Sequence, residues 1–210
     1  MRLSFGSPGL FDETPATQAC IQKNDLWYIR SRSPRLFGAT LRAFMSHESV
    51  EDALIEVATR AGREGDSTLD DYSYPPLRKL ATAARRVNKE MHLLLGFARF
   101  SLRADGLWSA ALEPDNDILP ALCRLFEARF GEERYVLVDL RRNYAILREG
   151  HDFQAKFRDE ALALLPDGCD EEDAALFKRY FSAIDNPARK NSSLQRRLMP
   201  KRYWKHLVEL

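Results

Sequence analysis

Apolar residues recur at helical spacing in two stretches of the first half of the chain. Between residues 46 and 64 they return every three or four positions, and Gly65 follows, which predicts a helix over this stretch. Residues 77–94 carry a longer run with the same period, so we expect a long helix that ends at Gly96. The apolar members of this second run are Leu77, Leu80, Ala84, Val87, Met91 and Leu94.

The pattern after Gly96 predicts strands. Ala104-Asp105-Gly106 separates two apolar runs, and an Asp-Gly turn in that position is a hairpin signal. A helix follows from Asp117 to Gly131, and then two further strands. The expected strands are residues 97–102, 107–113, 135–139 and 144–148. Since hairpins pair strands antiparallel, we expect an α+β fold: an antiparallel sheet of about four strands, in helix–hairpin–helix–hairpin order, with helices on one face.

The flanking regions extend this core without repeats or low-complexity segments. We expect one domain over residues 1–210, made of a divergent N-terminal part (1–75), an α+β core (76–150) and a helical part (151–210) with a basic C-terminal tail.

Composition excludes several classes of protein. Hydrophobic residues make up 45% of the chain and charged residues 30%, which are globular values rather than those of a disordered chain. No apolar run approaches the roughly 18 residues of a membrane span, and no secretory leader is visible, so we expect a cytoplasmic protein. Cys20, Cys123 and Cys169 are too far apart for a zinc or redox motif. We expect no metal and no cofactor.

Charge is segregated along the chain although the net charge is only +1. Residues 159–177 hold seven acids and no base, whereas 76–103 and 186–210 each hold seven bases against one acid. On the long helix, one stripe collects Arg78, Arg85, Lys89 and His92. A basic stripe on a rigid helix suits a phosphate backbone, because each neutralised phosphate releases counterions. The alternative is a solvated face whose bases pair with acids elsewhere.

The C-terminal tail interleaves bases with Tyr203 and Trp204. Arginine and lysine bind phosphates while aromatic faces stack on bases, so this pattern favours nucleic acid. Two alternatives stay open: a docking segment for a partner protein, and a structural element whose Trp204 packs inward. The predicted nucleic-acid contacts are Arg78, Arg85, Lys89, Arg99, Arg189, Lys190, Gln195, Arg196, Arg197, Lys201, Arg202, Tyr203, Trp204 and Lys205.

Six polar residues are candidates for a catalytic site: Glu90, His92, Glu113, Asp115, Asp117 and Asp139. Carboxylates at strand ends can hold Mg²⁺ for phosphodiester chemistry. The spacing does not require it, because Asp117 is explained as a helix N-cap and Asp115 as a turn residue. Glu90 and His92, two residues apart on a helix, point to different faces. The residues alone leave catalysis open.

Three motifs resemble those of a known family. They are Glu90-Met-His-Leu-Leu-Leu-Gly-Phe-Ala-Arg-Phe100, Leu112-Glu-Pro-Asp-Asn-Asp-Ile-Leu-Pro120 and Leu194-Gln-Arg-Arg-Leu-Met-Pro-Lys-Arg-Tyr-Trp-Lys205. Together they resemble a bacterial family of DNA metabolism proteins that carries a domain of unknown function. The resemblance covers about residues 78–150 and 176–207, and residues 1–75 match poorly.

This resemblance implies partners. Genes of the family usually stand beside one for a radical SAM protein of DNA modification or repair, and longer relatives are fused to a uracil-DNA glycosylase-like domain. Where relatives often have Asp-His-Asp, this chain has Asn116 in the middle. Asparagine cannot act as a general base, which favours binding over catalysis.

The resulting expectation is a DNA-metabolism accessory protein that binds DNA and acts in modification or repair with a radical SAM partner, and with a uracil-DNA glycosylase-like protein as a further partner. One alternative is an enzyme on DNA, a hydrolase or a base-processing activity, that uses the six candidate residues. The other is a protein–protein adaptor without nucleic-acid contact.

Overall fold

The computed structural model describes residues 34–166, 171–186, 191, 193–194, 198–199 and 203–204. These residues form two compact units. The first holds residues 34–44 and 48–84, and the second holds 45–47 and the described residues from 85 onward. The predicted single domain over residues 1–210 stays a prediction.

Helices build the first unit: α1 (Pro34–Phe44), α2 (Glu51–Glu64), a 3-10 helix (Asp66–Asp70) and the beginning of α3 (Pro75–Phe97). Buried apolar residues from all four elements form one core, and α2 and α3 contribute the apolar stripes that their helical spacing predicts. The buried members are Leu36, Ala43, Val50, Ala53, Leu54, Val57, Leu69, Leu77, Leu80, Ala83 and Ala84.

Two helix ends differ from the predicted ones. The helix expected from residue 46 begins only at Glu51, after Val50, whose carbonyl oxygen accepts the N–H of Leu54 at 2.8 Å. The long helix continues through Gly96 to Phe97. A glycine ends a helix where it takes a positive φ, as Gly131 does at 53°, and Gly96 does not take one.

The second unit is a mixed α+β structure around one sheet of five strands in the order β1-β2-β3-β4-β5. Neighbouring strands are antiparallel except β2 and β3, which are parallel. Helix α4 (Leu119–Phe130) connects that parallel pair, because parallel neighbours require a crossover. The strands are β1 (Ser101–Leu102), β2 (Trp108–Leu112), β3 (Tyr135–Asp139), β4 (Tyr144–Glu149) and β5 (Asp152–Phe157).

The prediction of about four strands is wrong by one. Strand β5 occupies residues that we expected to be helical. Its two phenylalanines, Phe153 and Phe157, stand four residues apart, and that spacing places two side chains on one face in a helix and in a strand alike. The spacing therefore fits either element, and the backbone pairing with β4 makes these residues a strand.

Both faces of the sheet are covered, whereas we expected helices on one face. Helices α3 and α4 pack on one face, with Val87, Leu122 and Phe126 in the core. On the other face, Ala161 from the short helix α5 (Asp159–Leu162) packs against Val136 and Val138. Strand β3 is consequently buried at every residue.

Helix α6 (Glu171–Ile184) follows the sheet and exposes Leu176, Tyr180 and Ile184. No helix among the described residues combines the length and apolarity that crossing a membrane requires.

Leu122 and Leu125 of α4 form a matched pair for testing this packing. Leu122 is 0% exposed in the core and Leu125 is 48% exposed. We expect Leu122→Ala to lower the free energy of unfolding by about 2–5 kcal/mol, because it removes buried methyl groups and leaves a cavity. Leu125→Ala should cost less than about 0.5 kcal/mol. Urea unfolding followed by circular dichroism measures both, and equal losses would contradict the orientation of α4.

The buried thiol of Cys123 gives a second test. Burial raises its pKa to about 12, so the thiol stays protonated at pH 9, where an exposed cysteine with a pKa of about 8.5 is mostly thiolate. We expect iodoacetamide at pH 9 to alkylate Cys123 at least about a hundredfold more slowly in the folded protein than in urea.

Peptide mass spectrometry separates Cys123 from the other two cysteines. Labelling of Cys123 at the same rate in the folded protein and in urea would show that the thiol is accessible.

The same pKa shift makes stability depend on pH. Since folding favours the neutral thiol, its stabilising contribution is complete below about pH 8.5 and is lost as the pH rises towards 12.

Candidate functional site

Parts of all three motifs meet at the side chain of Glu90 in the second unit. Glu90 lies on α3 and is 5% exposed. Its Oε1 accepts hydrogen bonds from the backbone N–H of Asp115 (2.8 Å) and from the hydroxyl of Tyr203 (2.8 Å). Its Oε2 accepts the backbone N–H (3.0 Å) and the side-chain Nδ2 (2.6 Å) of Asn116. We call Glu90, Asp115, Asn116 and Tyr203 the Glu90 network.

Asn116 extends this network to a fourth segment of the chain. It is buried, and its Oδ1 accepts the backbone N–H of His47 at 3.1 Å and lies 3.2 Å from the His47 Nδ1. An amide can donate to Glu90 and accept from His47 at the same time. The residue that we interpreted as a lost histidine is therefore a structural bridge here.

A second anchor holds the loop Pro114–Asp117 through Asp139, at the end of β3. Asp139 is fully buried, and its Oδ1 accepts the backbone N–H groups of Arg141 (2.8 Å) and Arg142 (3.0 Å). Its Oδ2 accepts the Arg142 guanidinium at 2.9 Å. That guanidinium also donates to the carbonyl oxygens of Pro114 (3.1 Å) and Asp115 (2.5 Å). The loop is thus held through its N–H groups by Glu90 and through its carbonyls by Arg142.

Asp117 does not cap α4, contrary to our prediction. The helix begins at Leu119, its N-cap position is Ile118, and no side-chain cap bond is made there. The Asp117 carboxylate instead accepts the hydroxyl of Tyr144. Burial and the negative charge of Asp117 raise the pKa of Tyr144, so this phenol stays protonated and donates.

The structure gathers four of the six catalytic candidates around the loop, each already bonded to donors. Glu90 and Asp139 bind N–H and guanidinium groups, Asp115 pairs with Arg141, and Asp117 binds Tyr144. Of the other two candidates, His92 is exposed and Glu113 is half-buried. Their catalytic role stays a hypothesis.

Glu90 is buried and His92 exposed, as their two-residue spacing predicted. Within the described part of the chain, no group of three His, Cys, Asp or Glu residues is arranged to hold a metal ion.

The predicted nucleic-acid residues have different environments. Arg85 and Lys89 are exposed on the part of α3 that belongs to the second unit, and Arg78 is exposed on the part in the first. Arg99 is half-buried and donates to the carbonyl oxygen of Gly96 at 2.9 Å.

Tyr203 is not open for stacking on bases, contrary to our prediction. It is 2% exposed, and its ring lies 6.0 Å from that of Phe97, which packs against the core. Trp204 is half-buried, and its Nε1 donates to the carbonyl oxygen of Met199 at 3.0 Å. The remaining predicted contacts lie outside the described residues: Arg189, Lys190, Gln195, Arg196, Arg197, Lys201, Arg202 and Lys205.

Three members of this site were not predicted from the sequence: His47, Arg142 and Tyr144. Asn116 and Tyr203 were noted for other reasons, and their position inside the motifs was the available signal for a shared environment. Nothing local marks His47, which reaches Asn116 from 69 residues away along the chain.

A family model matches the chain over residues 48–209; its description is DUF4130, a domain of unknown function. The match contains every member of the Glu90 network and begins one residue after His47. Searches of curated proteins and of solved structures found no match.

The Glu90 network is tested by Glu90→Gln, which keeps the shape of the side chain and replaces one acceptor oxygen with a donor. Because N–H and O–H donors face both oxygens, the amide leaves a buried donor unsatisfied. We expect a loss of about 2–4 kcal/mol in the free energy of unfolding, measured in urea.

The matched control is Glu132→Gln, at an exposed position, which should change stability by less than about 0.5 kcal/mol. Tyr203→Phe removes one donor of the network, so its effect should be much smaller in the Glu90→Gln background. Additive effects of the two substitutions would contradict the bond between them.

Proposed function

The chain belongs to the DUF4130 family, whose domain has no assigned function. From the geometry of α3 and the resemblance of its motifs we propose that it is a DNA-metabolism accessory protein that binds nucleic acid and works with a radical SAM partner. The basic surface of α3 supports the nucleic-acid part. The likeness of its three motifs to those of DNA metabolism proteins supports the partner.

The observation that carries this proposal is the division of α3 into a buried and a basic face. Arg85 and Lys89 are exposed and stand four residues apart, on one side of the helix. Glu90, the one acid between residues 85 and 97, is turned inward and bonded. The outer surface of this part of the helix therefore presents positive charge without an acid beside it on the helix, which suits phosphates.

This part of α3 is also held rigidly. The buried side of the same helix is fixed by the core residues Val87 and Leu94 and by the bonds of Glu90. Bases held on a fixed element lose little further freedom when they contact a phosphate. The same bonds favour binding over catalysis, because they use the carboxylates that an enzyme would need.

The test is fluorescence anisotropy of labelled single- and double-stranded DNA across a salt series. We expect the affinity to fall with salt, and the double variant Arg85→Glu/Lys89→Glu to weaken duplex binding at least about tenfold. Loss of two phosphate contacts should also reduce the slope of log affinity against log salt by about 1.8.

The matched control is Lys178→Glu/Arg179→Glu, which makes the same charge change at exposed positions of α6. An equal loss of DNA affinity in both double variants would indicate an effect of net charge and would contradict a specific role of α3. Absence of binding at low salt would contradict the nucleic-acid proposal outright.

The partner is tested separately with the tagged chain purified from its own host. Recovery of a radical SAM protein with it, identified by mass spectrometry and by iron–sulfur absorbance, is the expected result. Repeated purifications without such a protein would count against this part of the proposal and leave the DNA measurement unaffected.

A further inference from the structure

Strand β5 is an open edge of the sheet in the second unit. It pairs with β4 on one side, and no strand of the described residues pairs with its other side. Four of its six residues are exposed, among them Ala155 in the middle of the strand. Unpaired N–H and C=O groups along such an edge are a template for another strand.

The register shows which backbone groups point outward. Arg158 N–H donates to the carbonyl oxygen of Asn143 at 2.8 Å, so this opposed pair is hydrogen-bonded. Bonded and non-bonded pairs alternate in an antiparallel ladder, which makes Lys156, Gln154 and Asp152 the residues that bond to β4. The N–H and C=O groups of residues 153, 155 and 157 therefore face the open edge.

We propose that the chain forms a symmetric dimer in which the β5 strands of two copies pair antiparallel across a twofold axis at Gln154. In that register Phe153 of each copy is opposite Ala155 of the other, and each such pair exchanges backbone hydrogen bonds. A shift of this antiparallel register by one residue would set outward groups against inward ones.

Charge complementarity singles out a second copy as the occupant of this edge. With Gln154 on the axis, Asp152 of each copy is opposite Lys156 of the other, and opposite charges in facing positions stabilise a strand pair. Neither residue has an ion-pair partner within the described part of the chain. A lysine in an edge strand ordinarily discourages pairing, and here the strand carries the acid that neutralises it.

The experiment is sedimentation velocity of the full chain over a range of concentrations. We expect a dimer whose dissociation constant rises at least about tenfold in Asp152→Lys and in Lys156→Asp, because each variant puts like charges in facing positions. The double variant Asp152→Lys/Lys156→Asp should restore dimerisation, since it exchanges the charges and keeps their complementarity. Lys178→Asp, a charge reversal at an exposed position of α6, should leave it unchanged.

Ala155→Pro adds a test of the backbone. It removes an outward N–H and spares the bonds to β4, so the fold should persist while the dimer is lost. Circular dichroism and a melting curve check the fold, and if this variant unfolds, the charge series decides the question. A wild-type monomer at the highest soluble concentration would overturn the proposal. A dimer that resists the single charge reversals, or that the double variant does not restore, would also overturn it.

Discussion

The burial of the Glu90 carboxylate is the constraint on which the second unit depends. A carboxylate removed from water loses several kcal/mol of hydration unless hydrogen-bond donors replace the water. Here the donors come from Asp115, Asn116 and Tyr203, which follow Glu90 by 25, 26 and 113 residues. Satisfying this one group ties together the helix, the loop after β2 and Tyr203.

The Asp139–Arg142 pair supplies the hydrogen-bond donors that the carbonyl oxygens of the same loop need. The N–H groups of the loop Pro114–Asp117 point at Glu90, so its carbonyl oxygens need donors from elsewhere, and the Arg142 guanidinium supplies them. A loop that is held through both its donors and its acceptors is stiff. The carboxylates of Glu90 and Asp139 that hold it already accept hydrogen bonds from N–H, O–H and guanidinium groups. The bases Arg85 and Lys89 of α3, in contrast, are exposed.

Most of the fold followed from periodicity where one period dominated. Helices α2, α3 and α4 and strands β2, β3 and β4 lie close to their expected positions, because their apolar spacing matches one element only. The errors have specific causes. The spacing of Phe153 and Phe157 fits a helix and a strand, and the parallel pairing of β2 with β3 depends on where α4 packs, which no local pattern records.

The sequence by itself determined the element types of the core, the uneven distribution of charge and the three motifs, because these are properties of neighbouring residues. It also indicated that Glu90 and His92 point to different faces of one helix. Only the tertiary structure decided what those residues do. The inward turn of Glu90, the buried role of Tyr203 and the bridge through Asn116 depend on contacts between segments far apart in the chain. Solvent exclusion at such contacts decides whether a carboxylate is a structural acceptor or a reactive group.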